Sequence, residues 1–182
     1  MRPLPISLQN PKSQHRGFTL IELIVTLSVL GILLTIGVPM LRPLMRGTNL
    51  RSAANRLTTA LNYARSEAVT RGARVVICAS DDPMANDPEC GSDWTSGWLV
   101  FVDTDGNSDF DESANDVLLR VNGPATGDLT LVGAAEAVAF SNLGVALQGA
   151  GDYEVRSPGL RRWIIQVAPG GRINNQRGAE WP

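Results

Sequence analysis

The N-terminal stretch RGFTLIELIVTLSVLGILLTIGVPML, residues 16–41, decides the fold of this chain. Residues 18–41 carry one charge, Glu22, and as a helix they are long enough to cross the roughly 30 Å of hydrocarbon in a bilayer. The residues before them hold four basic side chains and no acidic one: Arg2, Lys12, His15 and Arg16. By the positive-inside rule, residues 1–17 are predicted to lie in the cytoplasm and the bulk of the chain outside it, with a single membrane pass.

The position of Gly17 excludes an ordinary secretory signal peptide. Such a peptide has a short apolar region followed by a small-residue cleavage site, whereas here the small residue precedes a long apolar run. The sequence RGFTLIE, residues 16–22, resembles the type IV prepilin motif. The resemblance implies that a prepilin peptidase removes residues 1–17 by cleaving between Gly17 and Phe18, and that the new amine of Phe18 is N-methylated.

Glu22 is the one charged residue of the apolar stretch. A carboxylate inside a membrane is unfavourable unless it finds a partner, so the first interpretation is functional, and an unpaired lipid-facing Glu is the alternative. In pilins the partner is the N-terminal amine of the neighbouring subunit. The resemblance therefore implies that Glu22 is an assembly residue, because docking neutralises both charges in apolar surroundings.

Residues 42–182 are predicted to form one globular domain. Apolar residues recur with the i, i+3, i+4 spacing of an amphipathic helix over about 48–71, after an expected break near Pro43 and Gly47. Short β-branched or apolar runs predict strands at 74–79, 98–103, 117–121, 129–132, 137–141 and 161–168. A helix followed by consecutive strands predicts an α+β fold, with a mainly antiparallel sheet packed on the apolar face of the helix.

Cys78 and Cys90 are the only cysteines. An even count beyond a membrane anchor predicts one disulfide in an oxidising compartment, while two free thiols in a cytosolic protein are the alternative. Closing this short loop is worth roughly 3 kcal/mol, mainly through restriction of the unfolded chain.

The composition limits the function. With 16 Lys plus Arg against 18 Asp plus Glu, the net charge of -2 gives no overall attraction to nucleic acid. The only Lys is Lys12 and the only His is His15, so loss of residues 1–17 leaves neither residue type. A Ser-His-Asp triad, a His-ligated metal, a Walker lysine and a Schiff base are thereby excluded. The carboxylates show no catalytic spacing, and we predict no enzymatic activity and no cofactor.

Within the loop 103–116, residues 103–112 alternate oxygen-bearing side chains as calcium loops do. Counted from Asp105, however, the pattern places Phe110 where an EF-hand requires Gly and offers no Glu at its end. A solvated hairpin between two strands is therefore preferred to a metal site.

The C-terminal stretch 156–178 contains no acidic residue and five arginines: Arg156, Arg161, Arg162, Arg172 and Arg177. Guanidinium groups bind phosphate through paired hydrogen bonds, and Trp163 or Trp181 offers stacking. A charge pattern at a strand edge is the alternative. The candidate DNA-binding residues are Arg161, Arg162, Arg172 and Arg177.

Three further segments, LNYARSEA (61–68), VVIC (75–78) and WTSGWLVFVD (94–103), resemble the GspH/FimT family of minor pilins and pseudopilins. The resemblance covers residues 16 to about 121. It implies the type IV pilin fold, an inner-membrane anchor with the globular domain in the periplasm, and incorporation into a pilus at the cell surface. The implied partners are other pilins and minor pilins, the prepilin peptidase and the inner-membrane assembly platform.

The expected function is that of a minor type IV pilin that takes part in pilus assembly or initiation, at the filament tip or in a priming complex. The alternative is a pseudopilin of the periplasmic pseudopilus in type II secretion. Some FimT-like pilins also bind DNA for uptake through a C-terminal Gly-Arg-x-Arg motif. Here GRIN (171–174) matches only its first half and Arg177 is out of register, so DNA binding stays a hypothesis.

Overall fold

The computed structural model describes residues 18–182, except for the side chains of residues 36–44. The predicted leader 1–17, with Gly17, lies outside the described residues. The chain divides between Leu41 and Arg42 into two compact units.

One helix, α1, runs from Leu20 to Arg71. At its start the Glu22 N–H donates to Thr19 Oγ1 at 3.3 Å, so Thr19 caps the first turn, and Glu22 stands where a capping box has its acidic residue. At its end Gly72 adopts a left-handed conformation with φ 64°, which favours glycine and stops the helix.

The predicted break near Pro43 and Gly47 is wrong, because the backbone is helical through both positions. A proline inside a helix costs about 3 kcal/mol and a glycine about 1 kcal/mol relative to alanine. These costs do not end the helix, because burial of the following turns stabilises it. Leu50 and Ala53 are among the buried residues of those turns.

Nine strands form two sheets in which every pairing is antiparallel. The strands are β1 (Val75–Ala79), β2 (Trp98–Val102), β3 (Val117–Asn122), β4 (Thr130–Val132), β5 (Ala137–Phe140), β6 (Ala146–Gln148), β7 (Gly151–Arg156), β8 (Arg161–Val167) and β9 (Ile173–Glu180). The first sheet has the order β3-β2-β1-β5-β6 and the second β4-β7-β8-β9. The predicted α+β class is confirmed, with two sheets in place of one.

The main core is the stripe of α1 that the periodicity predicts. The stripe is almost wholly buried and consists of Leu50, Ala53, Ala54, Leu57, Ala60, Leu61, Ala64 and Ala68. It packs against residues of both sheets, including Ile77, Tyr153 and Ile165. Five of the eight stripe residues are alanines, so small side chains form most of the helix face in this core.

A second, smaller core lies on the other face of the first sheet. Val76 and Cys78 belong to it, whereas Val75 and Ile77 belong to the main core, so β1 is buried on both faces. Phe110 from the loop 103–116 covers this second core and stacks edge-on to Phe101, with ring centroids 5.3 Å apart.

The predicted disulfide is present and belongs to this second core. Cys78 and Cys90 are joined with their Cα atoms 5.7 Å apart, and Cys78 is buried. The bond closes the loop that returns the chain from β1 to β2.

We expect the double variant Cys78→Ala/Cys90→Ala to lose about 3 kcal/mol of unfolding free energy, because the unfolded chain regains the entropy of the open loop. Thermal unfolding of the purified chain should show Tm lower by roughly 10 °C. Reduced wild-type protein is the matched control and should unfold like the variant. An unchanged Tm in both would contradict a stabilising role.

Candidate functional site

The first turns of α1 are apolar on every face. Every residue from 18 to 35 is exposed, and twelve large apolar side chains are at least half exposed: Phe18, Leu20, Ile21, Leu23, Ile24, Val25, Leu27, Val29, Leu30, Ile32, Leu33 and Leu34. A helix that is apolar all round is stable only when lipid or other protein covers it. Within the described residues, no helix has the length and apolar character needed to cross a membrane.

The hydroxyl groups of this segment are satisfied by its own backbone. Thr26, Ser28 and Thr35 donate to carbonyl oxygens three or four residues earlier, at 2.9, 2.7 and 2.7 Å. Side-chain hydroxyls bonded in this way present no free donor to an apolar surrounding.

The carboxylate of Glu22 differs from these hydroxyls. Its side chain is exposed, and among the residues that the structure describes it has neither a hydrogen bond nor an ion pair. Phe18, four residues before it, is 82% exposed. Residues 18–35 therefore present one charged side chain, without a partner among the described residues, on an apolar helix surface.

The second candidate site is the C-terminal pair of strands, where the structure brings Arg161 and Arg177 together. Trp163 lies opposite Arg177 in the β8–β9 ladder, so both side chains are on one face of the sheet. The Arg177 guanidinium lies 5.2 Å from the centroid of the Trp163 ring. With Leu50 of α1, these residues line a depression of about 230 Å³.

The other two predicted arginines lie elsewhere. Arg162 points to the opposite face, where its Nη1 is 3.7 Å from Glu154, an acid that also pairs with Arg156 at 2.7 Å. Arg172 is exposed in the turn between β8 and β9, and the length of β8 places it roughly 20 Å from Arg161. The four predicted residues therefore do not form one cationic face. The sequence analysis did not identify Glu154 as a partner, because Glu154 lies on β7, a strand that it did not predict.

The third candidate site is the acidic loop 103–116, which is held together by two of its own carboxylates. Asp103 is buried, accepts hydrogen bonds from the amides of Gly106 and Ser108 at 2.7 and 3.1 Å, and lies 2.8 Å from Arg74 Nε. A buried carboxylate with a guanidinium and two amides as partners is well compensated.

Asp116 has the same role from the other end of the loop. Its carboxylate accepts from the amides of Thr104 and Asp111 at 2.8 and 3.2 Å. Oxygen atoms of Asp103, Asp105 and Asp116 lie within 4.8 Å of one another, which is close enough for a shared cation. Because two of these three carboxylates are already engaged by the loop backbone, the arrangement favours the solvated hairpin.

We predict that millimolar calcium leaves the Tm of the chain unchanged, because binding would require Asp103 and Asp116 to release backbone amides that hold the loop closed. The control is Asp105→Asn, which removes the one exposed carboxylate of the three. A calcium-dependent rise in Tm that disappears in this variant would contradict the prediction.

Fold and N-terminus together define a class of protein. A long helix, apolar and exposed in its first half and covered by antiparallel sheets in its second, is the architecture of type IV pilin-like proteins. Two family models match the chain: "Type II transport protein GspH" over residues 53–171 and the prokaryotic N-terminal methylation motif over residues 12–38. The chain belongs to the GspH family of pilin-like proteins.

Similar proteins agree with this family. The pilin-like protein PilA1 of Thermus thermophilus is 34% identical over 97 residues, which are 53% of this chain and 54% of the relative. The chain thus matches about half the length of this relative. Two crystal structures of the type IV minor pilin FimU of Pseudomonas aeruginosa share the fold, with TM-scores of 0.56 and 0.53. Both are 23% identical to this chain. The matches cover 74% and 70% of this chain and, in both cases, 92% of FimU. Pilins are structural proteins rather than enzymes.

Proposed function

We propose that the chain is a minor type IV pilin that takes part in pilus assembly or initiation, in a priming complex or at the filament tip. Residues 18–41 serve as its single pass through the inner membrane, and residues 42–182 fold in the periplasm. A prepilin peptidase cleaves between Gly17 and Phe18, and the new amine is methylated. The observation that carries the proposal is the carboxylate of Glu22, which has no partner among the described residues and lies in the apolar first turns of α1.

Pairing of this carboxylate with a neighbour's N-terminal amine explains how insertion in the membrane changes to insertion in a filament. Two opposite charges 4 Å apart attract by about 4 kcal/mol at an effective dielectric constant of 20, against about 1 kcal/mol in water. The apolar side chains around Glu22 supply the low-dielectric surrounding when helices pack together. Each subunit offers both groups, the amine at Phe18 and the acid at Glu22.

Glu22→Ala should leave insertion in the membrane intact and strongly reduce recovery of the chain in sheared pili, because the charge pair is lost. The measurement is immunodetection in membrane and pilus fractions. Glu22→Gln is the matched control, since Gln keeps the size and polarity of the side chain but carries no charge. We expect it to fail as Glu22→Ala does.

Two outcomes would contradict the pairing role. Normal recovery of Glu22→Ala in pili would show that the side chain is not needed, and normal recovery of Glu22→Gln alone would show that its charge is not needed. Surface pili and secreted protein are scored in the same strains, because a loss of secretion with normal pili would favour a pseudopilin of type II secretion.

DNA binding is a second candidate function, favoured by the depression that Arg161, Arg177 and Trp163 form beside α1. Two guanidinium groups next to an indole ring match a phosphate followed by a base. Of the four predicted arginines, Arg161 and Arg177 therefore remain as the candidates. Arg172 lies far from the depression, and Arg162 lies beside Glu154 on the other face of the sheet.

Double-stranded DNA titrated onto the detergent-solubilised chain should bind with an affinity that falls as salt rises. In Arg161→Ala/Arg177→Ala the slope of log affinity against log salt should flatten by about two units, one for each lost phosphate contact. Arg162→Ala should keep the wild-type slope, because Arg162 lies on the opposite face of the sheet from the depression, beside Glu154. No binding at low salt would remove this candidate function.

A further inference from the structure

A cationic groove of about 450 Å³ lies between α1 and the edge strand β3, apart from the sites described above. Three of the eight residues that line it are arginines: Arg51, Arg56 and Arg120. The other five carry uncharged hydroxyl or amide groups, among them Ser52 and Asn55. None of the eight is acidic or aromatic. The wall of the groove therefore offers positive charge and hydrogen-bond donors, and no ring on which a base could stack.

Arg56 is held in position by neutral groups. Its guanidinium donates to the carbonyl oxygens of Gly123 at 2.7 Å and Pro124 at 3.2 Å, and lies 5.4 Å from the centroid of the Trp98 ring. A guanidinium has five N–H donors, so donors remain for a ligand. These contacts fix the orientation of the group and leave its charge without a counter-charge.

Arg120 is positioned in a similar way, with its guanidinium 4.4 Å from the centroid of the Tyr63 ring. Arg51 and Arg120 are both exposed. Among the described residues, none of the three arginines of the groove forms an ion pair with a carboxylate. Arginines that are oriented by carbonyl oxygens and rings, and that have no acidic partner, are suited to bind an anion.

The sequence distributes charge unevenly on either side of this groove. Between Glu22 and Glu67 it contains five arginines and no acidic residue. Residues 81–116 show the reverse pattern, with eleven acidic residues and no Lys or Arg. Positive charge is therefore concentrated in the stretch of chain that follows the apolar residues 18–41, and negative charge in a later one.

The structure places these two kinds of charge at different levels of the domain. The Asp103 N–H donates to the Arg74 carbonyl at 3.1 Å, so the acidic loop 103–116 begins near the end of α1. About 30 Å of helix separates Arg51 from that end at Arg71. The groove is thus at the N-terminal end of the domain, and the acidic loop is far from it. An anionic surface attracts the first and repels the second.

We infer that the groove binds the phosphate headgroup of an anionic phospholipid in the periplasmic leaflet of the membrane that anchors the chain. The inference rests on the proposed function, namely on the single membrane pass of residues 18–41 and the periplasmic domain. It adds a lipid ligand that holds the N-terminal end of the domain at the membrane surface. The guanidinium groups donate paired hydrogen bonds to phosphate oxygens, and the hydroxyl and amide groups of the wall offer further donors.

Chain length keeps the groove within reach of the headgroups. Thr48, the first residue of its wall, follows residue 41 by seven positions. Seven residues span about 10 Å as a helix and at most about 25 Å when fully extended. This limit holds for every orientation of the domain. In a helix the bonds from Cα to Cβ tilt toward the N-terminus, so the side chains of Arg51 and Arg56 start in the direction from which the proposed anchor joins the domain.

A lipid phosphate is favoured over other anions as the occupant. Proteins that bind single-stranded nucleic acid combine phosphate contacts with rings that stack on bases, and the wall of the groove has no aromatic residue. The membrane anchor holds lipid headgroups beside the groove as soon as the chain is inserted. A free phosphate ion or an acidic segment of another protein does not reach the effective concentration that this tether provides.

The test measures lipid binding to the full chain in micelles of a neutral detergent. Phosphatidylglycerol and phosphatidylcholine with identical acyl chains are titrated separately, and native mass spectrometry counts the bound lipids. Acyl contacts with the apolar helix are the same for both lipids, so the ratio of the two dissociation constants reports the headgroup. At about five-fold for each of the three arginines, we expect the wild-type chain to prefer phosphatidylglycerol by about 100-fold.

Arg51→Gln/Arg120→Gln should reduce this preference to about five-fold, because only Arg56 remains. An unchanged Tm checks that this variant is folded. Arg51→Gln alone should lower the preference by about five-fold, and it removes no hydrogen bond or ion pair among the described residues. Arg172→Gln, at an exposed arginine outside the groove, is the matched control and should keep the wild-type preference.

Three outcomes would overturn the inference. The first is equal affinity of the wild-type chain for both lipids, or a preference that persists in the double variant. The second is loss of the preference in millimolar inorganic phosphate, which would make the groove a site for the free ion. The third is a double-stranded oligonucleotide that displaces phosphatidylglycerol from the wild-type chain and does not bind the double variant.

The micelle assay does not depend on pili, so it separates this inference from the proposed function. A chain that prefers phosphatidylglycerol but is absent from sheared pili would remove the role as a minor pilin and leave the lipid site. Recovery in sheared pili without a lipid preference would remove only the lipid site.

Discussion

The structure depends on one constraint, which is that α1 has to be covered along its whole length by different partners. In its second half the cover is intramolecular, because both sheets pack on the stripe that runs from Leu50 to Ala68. The stripe combines five alanines with the larger side chains of Leu50, Leu57 and Leu61, all of them buried. In its first turns the helix carries apolar side chains on all faces, and residues 18–35 are exposed within the part of the chain that the structure describes. An apolar helix surface of this kind requires cover by lipid or by other protein.

Charge is distributed on this scaffold according to what each surface has to contact. The carboxylates Asp103 and Asp116 are turned inward, where they bind backbone amides and keep a long loop folded over the second core. Exposed acids remain on the outside of the same loop. The arginines divide likewise: Arg162 lies beside Glu154, while Arg56 and Arg120 rest on aromatic rings and form no ion pair with a carboxylate among the described residues.

Much of the fold could be predicted from the sequence, and the misses have a common cause. All six predicted strands occur, because each is an apolar or β-branched run that the core requires. The strands β6, β7 and β9 were missed, because β6 has three residues and the sequences GDYEVR and INNQRGAE are largely polar. Such segments become strands through the hydrogen bonds of their neighbours rather than through their own side chains. The continuity of α1 through Pro43 and Gly47 was missed for a similar reason. The helical turns on either side stabilise the segment by more than the low helix propensity of Pro and Gly destabilises it.

The sequence by itself determined the pilin-like class, the single carboxylate at Glu22, the buried stripe of α1 and the cysteine pair. These features depend on local order, namely the charge before an apolar run, the period of a helix and the count of a residue type. Only the tertiary structure decided which charges meet. Strand register sets Arg177 beside Trp163, β7 brings Glu154 to Arg162, and the edge of β3 adds Arg120 to the arginines of α1. Residues far apart in the chain become neighbours through the order of strands in a sheet, and no local pattern records that order.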